Sequence, residues 1–249
     1  VPVDELRVFY REFNDEMARV VAAHPGRFLA VAALPAADPV WAAEELARTR
    51  REYGFIGGSL PLNAFITLRS ARTLKPVFDE GQKLGSHIFL HRASASPALP
   101  DQPPVDIPAD TDWARWTLIN NAHLASAGIT LGLTDFLEPY PDVTVEIIML
   151  AGFLPYILDT WVAAGRDAGI ADPLARLRRV YYDTGPYAAR NAEWVAQAVR
   201  KIGADRVLFG TDYGVYGGTN GNVAPALAAL DRVLSPYEKQ VIFVDNSRA

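Results

Sequence analysis

The chain has 249 residues, 50% of them hydrophobic, a formal net charge of -5 and no cysteine. That apolar content is ample for a sizeable core and argues against disorder, while the negative balance argues against nucleic acid or anionic lipid as a default partner. Without cysteine there is no disulfide framework and no thiolate metal site, which is compatible with the cytoplasm.

The length permits one large barrel or two small domains. From the N-terminus, Leu6, Phe9, Tyr10, Phe13, Met17, Val20 and Val21 recur at helical spacing and predict an amphipathic helix from about Asp4 to Ala23. His24-Pro25-Gly26 ends it. Phe28 to Leu34 reads as a short buried strand. Asp38-Pro39 is an N-cap with proline at the first helical position, and that helix stops at Gly54. Phe55 to Leu60 is a second strand, Leu74 to Leu84 a helix, and His87 to His91 a third strand.

Residues 93 to about 110, rich in Pro, Ser, Ala and Asp, read as a long loop. A helical region from about Thr111 to Leu137 follows, broken near Gly128. Val143 to Leu150 is a fourth strand and Pro155 to Ala164 a helix. Arg179 to Thr184 is a fifth strand, with a helix from about Ala188 to Ile202. The stretch Arg206 to Tyr213 is the last strand, a short apolar run through Phe209 that leads through Gly210 and Thr211 to Asp212, with Gly214, Gly217, Gly218 and Gly221 beyond, and two helical stretches close the chain. The longest apolar region, Val143 to Val162, contains Glu146, Pro155 and Asp159 and does not read as a membrane span. The first residues lack the layout of a signal peptide.

Six strands alternating with helices imply a parallel sheet, because parallel neighbours need crossovers. A (β/α)8 barrel and an open doubly wound sheet both fit. No phosphate-binding glycine motif follows any strand, which weakens the nucleotide-binding sheet. In either architecture, groups that do chemistry sit at the carboxyl ends of strands. Those ends carry Asn63, His91, Met149, Asp183 and Asp212. His91 suits a metal ligand or an acid/base, or a hydrogen-bonded rim histidine. Asp212, as a buried carboxylate, needs a cation, an arginine or a turn to cap. Asp183 suits a structural cap. His87 reads as structural, and Glu44 with Arg48 as an ion pair on a solvated helix face.

Several stretches together resemble a known family. They are Ala23-His24-Pro25-Gly26-Arg27-Phe28, Ala33-Leu34-Pro35, Gly54-Phe55-Ile56-Gly57, Ile88-Phe89-Leu90-His91, Tyr140-Pro141-Asp142-Val143, Gly152-Phe153-Leu154-Pro155-Tyr156, Tyr181-Tyr182-Asp183-Thr184 and Leu208-Phe209-Gly210-Thr211-Asp212-Tyr213. In this order they resemble the amidohydrolase-related branch of the metal-dependent amidohydrolase superfamily, which includes aminocarboxymuconate-semialdehyde decarboxylase and the resorcylate-type decarboxylases. The resemblance implies a TIM (β/α)8-type barrel with one divalent metal, commonly zinc or manganese, at the carboxyl rim. It makes His91 a metal ligand from the fifth strand and Asp212 a metal ligand and catalytic acid/base from the eighth.

Two departures accompany it. The family's first strand carries an H-x-H pair, and none occurs here. Met149 stands where the family places a histidine, and a thioether cannot act as a general base; Met149 is expected as a core residue finishing the Val143, Val145, Ile147 stripe. The expectation is therefore a single partial barrel domain over residues 1–249, its six parallel strands being strands three to eight. The full-length parent would be a metal-dependent decarboxylase or hydrolase of a small carboxylated, aromatic or cyclic, substrate, and this chain alone would bind metal poorly. The alternative is a catalytically inactive binding or regulatory subunit. Small-molecule substrate is the expected partner, with no nucleic acid and no membrane; a homo-oligomer is compatible with either reading.

Overall fold

The structure is a computed structural model that describes residues 2–93, 99–102, 111–213 and 223–248. Most of the expected loop after His91 and the Gly-rich stretch after Tyr213 lie outside the described residues. The chain falls into two compact units, Val1–Asp106 with Thr134–Glu146, and Ile107–Leu133 with Ile147–Ala249. In chain order the elements are α1 (Val3–Ala23), β1 (Val31–Ala33), α2 (Pro39–Tyr53), β2 (Gly57–Pro61), α3 (Leu68–Arg72), α4 (Lys75–Leu84), β3 (His87–His91), α5 (Asp112–Leu133), β4 (Thr144–Ile147), α6 (Leu154–Asp167), α7 (Pro173–Leu177), β5 (Val180–Asp183), α8 (Tyr187–Arg190), α9 (Ala192–Ile202), β6 (Val207–Leu208), α10 (Val223–Leu230) and α11 (Pro236–Gln240).

Strand order follows chain order, β1-β2-β3-β4-β5-β6. That is the connectivity of a β/α barrel, since a doubly wound sheet reverses its order midway. In the first unit β1 pairs parallel with β2 from Val31↔Gly57, and β2 with β3 from Gly57↔His87 to Pro61↔His91. Thr144 donates its N–H to the Ser86 carbonyl at 3.2 Å. In the second unit β5 pairs parallel with β6, Tyr182↔Val207 and Asp183↔Leu208.

Local chemistry sets the boundaries of α2. Asp38 accepts from the Trp41 N–H at 3.3 Å, Pro39 occupies the first turn, and Gly54 exits at φ 70. In β3, Ile88 and Leu90 are fully buried while His87, Phe89 and His91 share the other face. His87 is structural: Nδ1 meets Thr144 Oγ1 at 2.9 Å and Nε2 meets Glu146 Oε2 at 3.0 Å.

Helix α1 differs from the expected apolar stripe. Leu6, Tyr10, Met17 and Val21 are half-buried, Phe9, Phe13 and Val20 are exposed, and the one fully buried residue is Asn14. Asn14 donates to the Ala33 carbonyl at 3.1 Å and accepts from the Ala33 N–H at 2.8 Å, so its amide substitutes for a neighbouring strand along β1. It also donates to Glu45 Oε1 at 2.9 Å. Glu45 is bonded in turn by Arg48, whose guanidinium reaches Asp15, Glu52 and Tyr53 as well. Arg48 thus anchors a largely buried network, in place of the solvated Glu44 pair that the spacing suggests.

Three further differences have local causes. Helix α5 runs unbroken through Gly128, because buried Leu124, Ala125, Ala127 and Leu131 anchor it on both sides. The helix expected from Ala188 to Ile202 is split at Asn191, which turns out of helical geometry and caps Trp194. The strand expected from Val143 to Leu150 stops at Ile147. Met149, Leu150 and Ala151 then adopt left-handed φ values of 55, 53 and 50, and Gly152 follows at 64. Met149 is therefore a half-buried turn residue and not the end of the core stripe.

The first unit's core gathers Phe65, Phe78, Phe136 and Tyr140, with Phe78 and Phe136 centroids 4.9 Å apart. The buried Tyr140 hydroxyl donates to Asp79 at 3.3 Å. Burial, and then the charge of Asp79, pushes its phenol up to about 12. In the unfolded chain this phenol ionises near its ordinary value of about 10. Between those values the folded chain keeps a proton that the unfolded chain has lost, so stability falls as pH rises. Tyr140→Phe is expected to flatten that loss, measured as urea midpoints from pH 8 to pH 11.5.

Candidate functional site

Each unit presents chemistry at its strand ends. In the first, the carboxyl ends of β1, β2 and β3 and the face of α1 surround a cavity of about 280 Å³. Its walls include Leu6, Tyr10, Leu34, Leu60, His91 and Arg92. His91 is exposed at the last position of β3, and its Nδ1–H donates to the Arg92 carbonyl at 2.9 Å. A carbonyl only accepts, so in the neutral ring the proton sits on Nδ1 and the lone pair on Nε2. A backbone carbonyl behind the other ring nitrogen is also what orients metal-binding imidazoles.

In the second unit the chain leaves β6 through Gly210 and Thr211 to Asp212. Thr184, fully buried after β5, clamps this exit: its hydroxyl donates to the Gly210 carbonyl at 2.8 Å and accepts the Gly210 N–H at 3.1 Å. Asp212 stands half-buried at φ 56. Aspartate visits that region more readily than most residues, so little strain is stored. Its carboxylate has no hydrogen-bond or ion-pair partner among the described residues.

Asp183, the other strand-end acid, is buried and accepts the Met149 N–H at 3.1 Å. A Cβ at Gly210 would lie 2.8 Å from its Oδ1, so Gly210 is what lets the carboxylate approach. Asp183 is thus a clasp on the left-handed turn. Periodicity does not single out the polar pair beside it: the Tyr187 hydroxyl donates to Asn121 Oδ1 at 2.7 Å, and Tyr187 stacks on Trp194 with centroids 4.5 Å apart. The available signal is the Asn120-Asn121 pair, two adjacent amides in a helix whose other buried residues are mostly apolar or small.

A catalytic divalent metal usually takes three protein ligands. Among the described residues no group of three or more His, Asp or Glu side chains is placed to hold one. His91 has the right tautomer for one coordination position, but the described residues do not complete a metal site. No helix among them is long and apolar enough to cross a membrane.

Comparison with known proteins adds the lineage. The sequence profile of the amidohydrolase family matches residues 3–249. Gamma-resorcylate decarboxylase of Rhizobium sp. is 28% identical over 222 residues, covering 82% of this chain and 64% of that protein. The chain therefore spans less than two thirds of that curated relative's length. Among solved structures, a 2,6-dihydroxybenzoate decarboxylase complexed with 2,6-dihydroxybenzoate superposes with a TM-score of 0.75 at 22% identity, over 98% of this chain and 77% of that one. A dihydroxybenzoic acid decarboxylase from Polaromonas sp., with bound manganese and the inhibitor 2-nitroresorcinol, gives 0.73 at 21% identity, over 98% and 75%. At these identities the structural likeness carries the fold: α/β, of the TIM-barrel type, here with six parallel strands.

Proposed function

Because the chain belongs to the amidohydrolase family, we propose that the protein carrying it decarboxylates a small carboxylated aromatic substrate, with Asp212 moving the proton. The observation that carries this reading is the state of Asp212: an acid at a strand's carboxyl end, half-buried, clamped through Gly210 by Thr184 and unpaired among the described residues. Replacing carbon dioxide on an aromatic ring requires a proton at the ring carbon, and a positioned carboxyl group can deliver one. The relatives named above support the substrate class.

We further propose a divalent metal, manganese or zinc, for the full-length protein, the family resemblance marking His91 and Asp212 as ligand residues. Such an ion would supply charge stabilisation to substrate oxygens. The described residues do not complete its coordination, so no step is assigned to it. The work of this chain's own groups is to present an imidazole lone pair at the end of β3 and a carboxylate at the end of β6. The thioether of Met149, in the turn after β4, cannot itself transfer a proton, so a step that the family gives to a histidine there is absent or done by another group.

The test is carbon dioxide release from 2,6-dihydroxybenzoate by the full-length protein, before and after chelation and with manganese or zinc restored. Expected is turnover that chelation removes and a metal restores. Stoichiometric substrate binding with no carbon dioxide released would favour the second reading, an inactive binding subunit, for which Met149 is the specific observation.

A further inference from the structure

We propose that Thr184 is a positioning residue for Asp212: its hydroxyl carries the β5–β6 pairing past the last laddered residues and so fixes where the carboxyl stands. The assignment rests on reading Asp212 as the acid that moves the proton. Of the strand expected from Arg206 to Tyr213, only Val207 and Leu208 pair with β5. Phe209, Gly210 and Thr211 carry the chain on to Asp212 outside any strand or helix. A group that transfers a proton must be held within about 0.5 Å of its working position, and strands hold groups more precisely than loops do. A misplacement of about 1 Å costs roughly a hundredfold in rate.

The ladder ends where the Thr184 N–H donates to the Leu208 carbonyl at 3.0 Å. One step on, a parallel ladder would bring the Gly210 N–H to the Thr184 carbonyl. That carbonyl is already engaged, accepting the Tyr187 N–H at 3.0 Å where α8 begins. The Thr184 side chain takes its place. Its Oγ1 accepts the Gly210 N–H at 3.1 Å and donates to the Gly210 carbonyl at 2.8 Å, so one oxygen holds both polar groups of Gly210.

The attachment is rigid for reasons of burial, rotamer and space. Thr184 is fully buried, so its two bonds are shielded from water. Its Cβ is branched, which restricts χ1 and with it the direction of the hydroxyl. Gly210 lies against the end of β5: a Cβ there would be 2.8 Å from Asp183 Oδ1 and 3.0 Å from the Gly185 nitrogen, so the backbone has no room to shift that way. Asp212 is the second residue beyond Gly210, at most about 7 Å of chain. A displacement at Gly210 therefore reaches the Asp212 carboxyl with little damping.

The test measures carbon dioxide release from 2,6-dihydroxybenzoate by the full-length protein as wild type, Thr184→Val, Thr184→Ser, Asp212→Asn and the double variant Thr184→Val with Asp212→Asn. All are compared at a temperature where circular dichroism shows each one folded. Thr184→Val is expected to lower kcat by about tenfold to a hundredfold with KM within about twofold of wild type. Thr184→Ser, which keeps the hydroxyl, should stay within about fivefold of wild type. The double variant should match Asp212→Asn within about twofold, because a residue that acts through Asp212 then has nothing left to position. A hydroxyl that serves only the fold would slow the double variant by the same factor as the single one, and that result overturns the assignment. A serine variant as slow as the valine variant overturns it as well. If Thr184→Val does not fold, Thr184→Cys replaces it: its thiol is a weak donor, so a kcat at least about fivefold below Thr184→Ser is expected, and equality overturns the assignment. Equal kcat in wild type and folded Thr184→Val removes this assignment alone and leaves the proposed activity standing. No carbon dioxide release by the wild type removes both.

Discussion

Asp212→Asn in the full-length protein is expected to lower decarboxylation turnover by about a thousandfold while leaving the fold intact. A positioned acid/base contributes roughly a hundredfold to ten-thousandfold, and the amide that replaces it can neither give nor take a proton at neutral pH. The backbone does not object to the change. Asp212 sits at φ 56, and asparagine visits this region as readily as aspartate. The Thr184–Gly210 clamp, made by other residues, survives. The melting temperature should therefore stay within a degree or two, so lost turnover reports chemistry and not unfolding. Turnover equal to wild type would remove Asp212 from the mechanism. A large fall in melting temperature would recast it as a structural cap of the chain leaving β6.

How much of the molecule is legible in its sequence follows from the kind of signal each residue carries. Asp38-Pro39 and Gly54 mark α2 because capping is a property of short, local chemistry. The alternation of Ile88 and Leu90 with His87 and His91 is enough by itself to place His91 at a strand end. Asn14 gives no such signal: it lies inside a convincing apolar spacing, yet the fold buries it to pair the backbone of β1. Glu45 and Arg48 are opaque for the same reason, since spacing reports neighbours along one helix and not a partner such as Asp15 on another. The left-handed run at Met149 to Ala151 is harder still. Glycine is the usual marker of positive φ, and here it comes only at Gly152, after three side-chain-bearing residues have already taken that form. At the candidate site, periodicity assigns Tyr10 to the stripe of α1, because it cannot tell a ring packed in a core from one that lines a cavity.

Gly57→Ala is expected to destabilise the chain by more than about 4 kcal/mol, enough to abolish soluble expression of a marginally stable domain. A Cβ at Gly57 would lie 1.7 Å from the His87 carbonyl oxygen, with the His87 carbonyl carbon at 2.5 Å and its nitrogen at 2.8 Å. All are backbone atoms of the paired strand, so relief requires moving β3 off β2. Its neighbour provides the contrast. A Cβ at Gly58 would meet Leu34 Cδ1 at 2.3 Å, the end of a side chain that can rotate, and overpacking of that kind costs about 1–3 kcal/mol. At Gly81, inside α4, the nearest atoms are at 3.5 and 3.7 Å. Alanine there meets ordinary contacts and gains about 0.5–1 kcal/mol of helix propensity. Urea midpoints of the soluble variants, with soluble yield for Gly57→Ala, should therefore rank Gly81→Ala above wild type, then Gly58→Ala, then Gly57→Ala. A Gly57→Ala protein that expresses and melts like wild type would mean that Gly57 does not face His87 in the β2–β3 ladder. The register that carries His91 to the rim of the cavity would then be wrong as well.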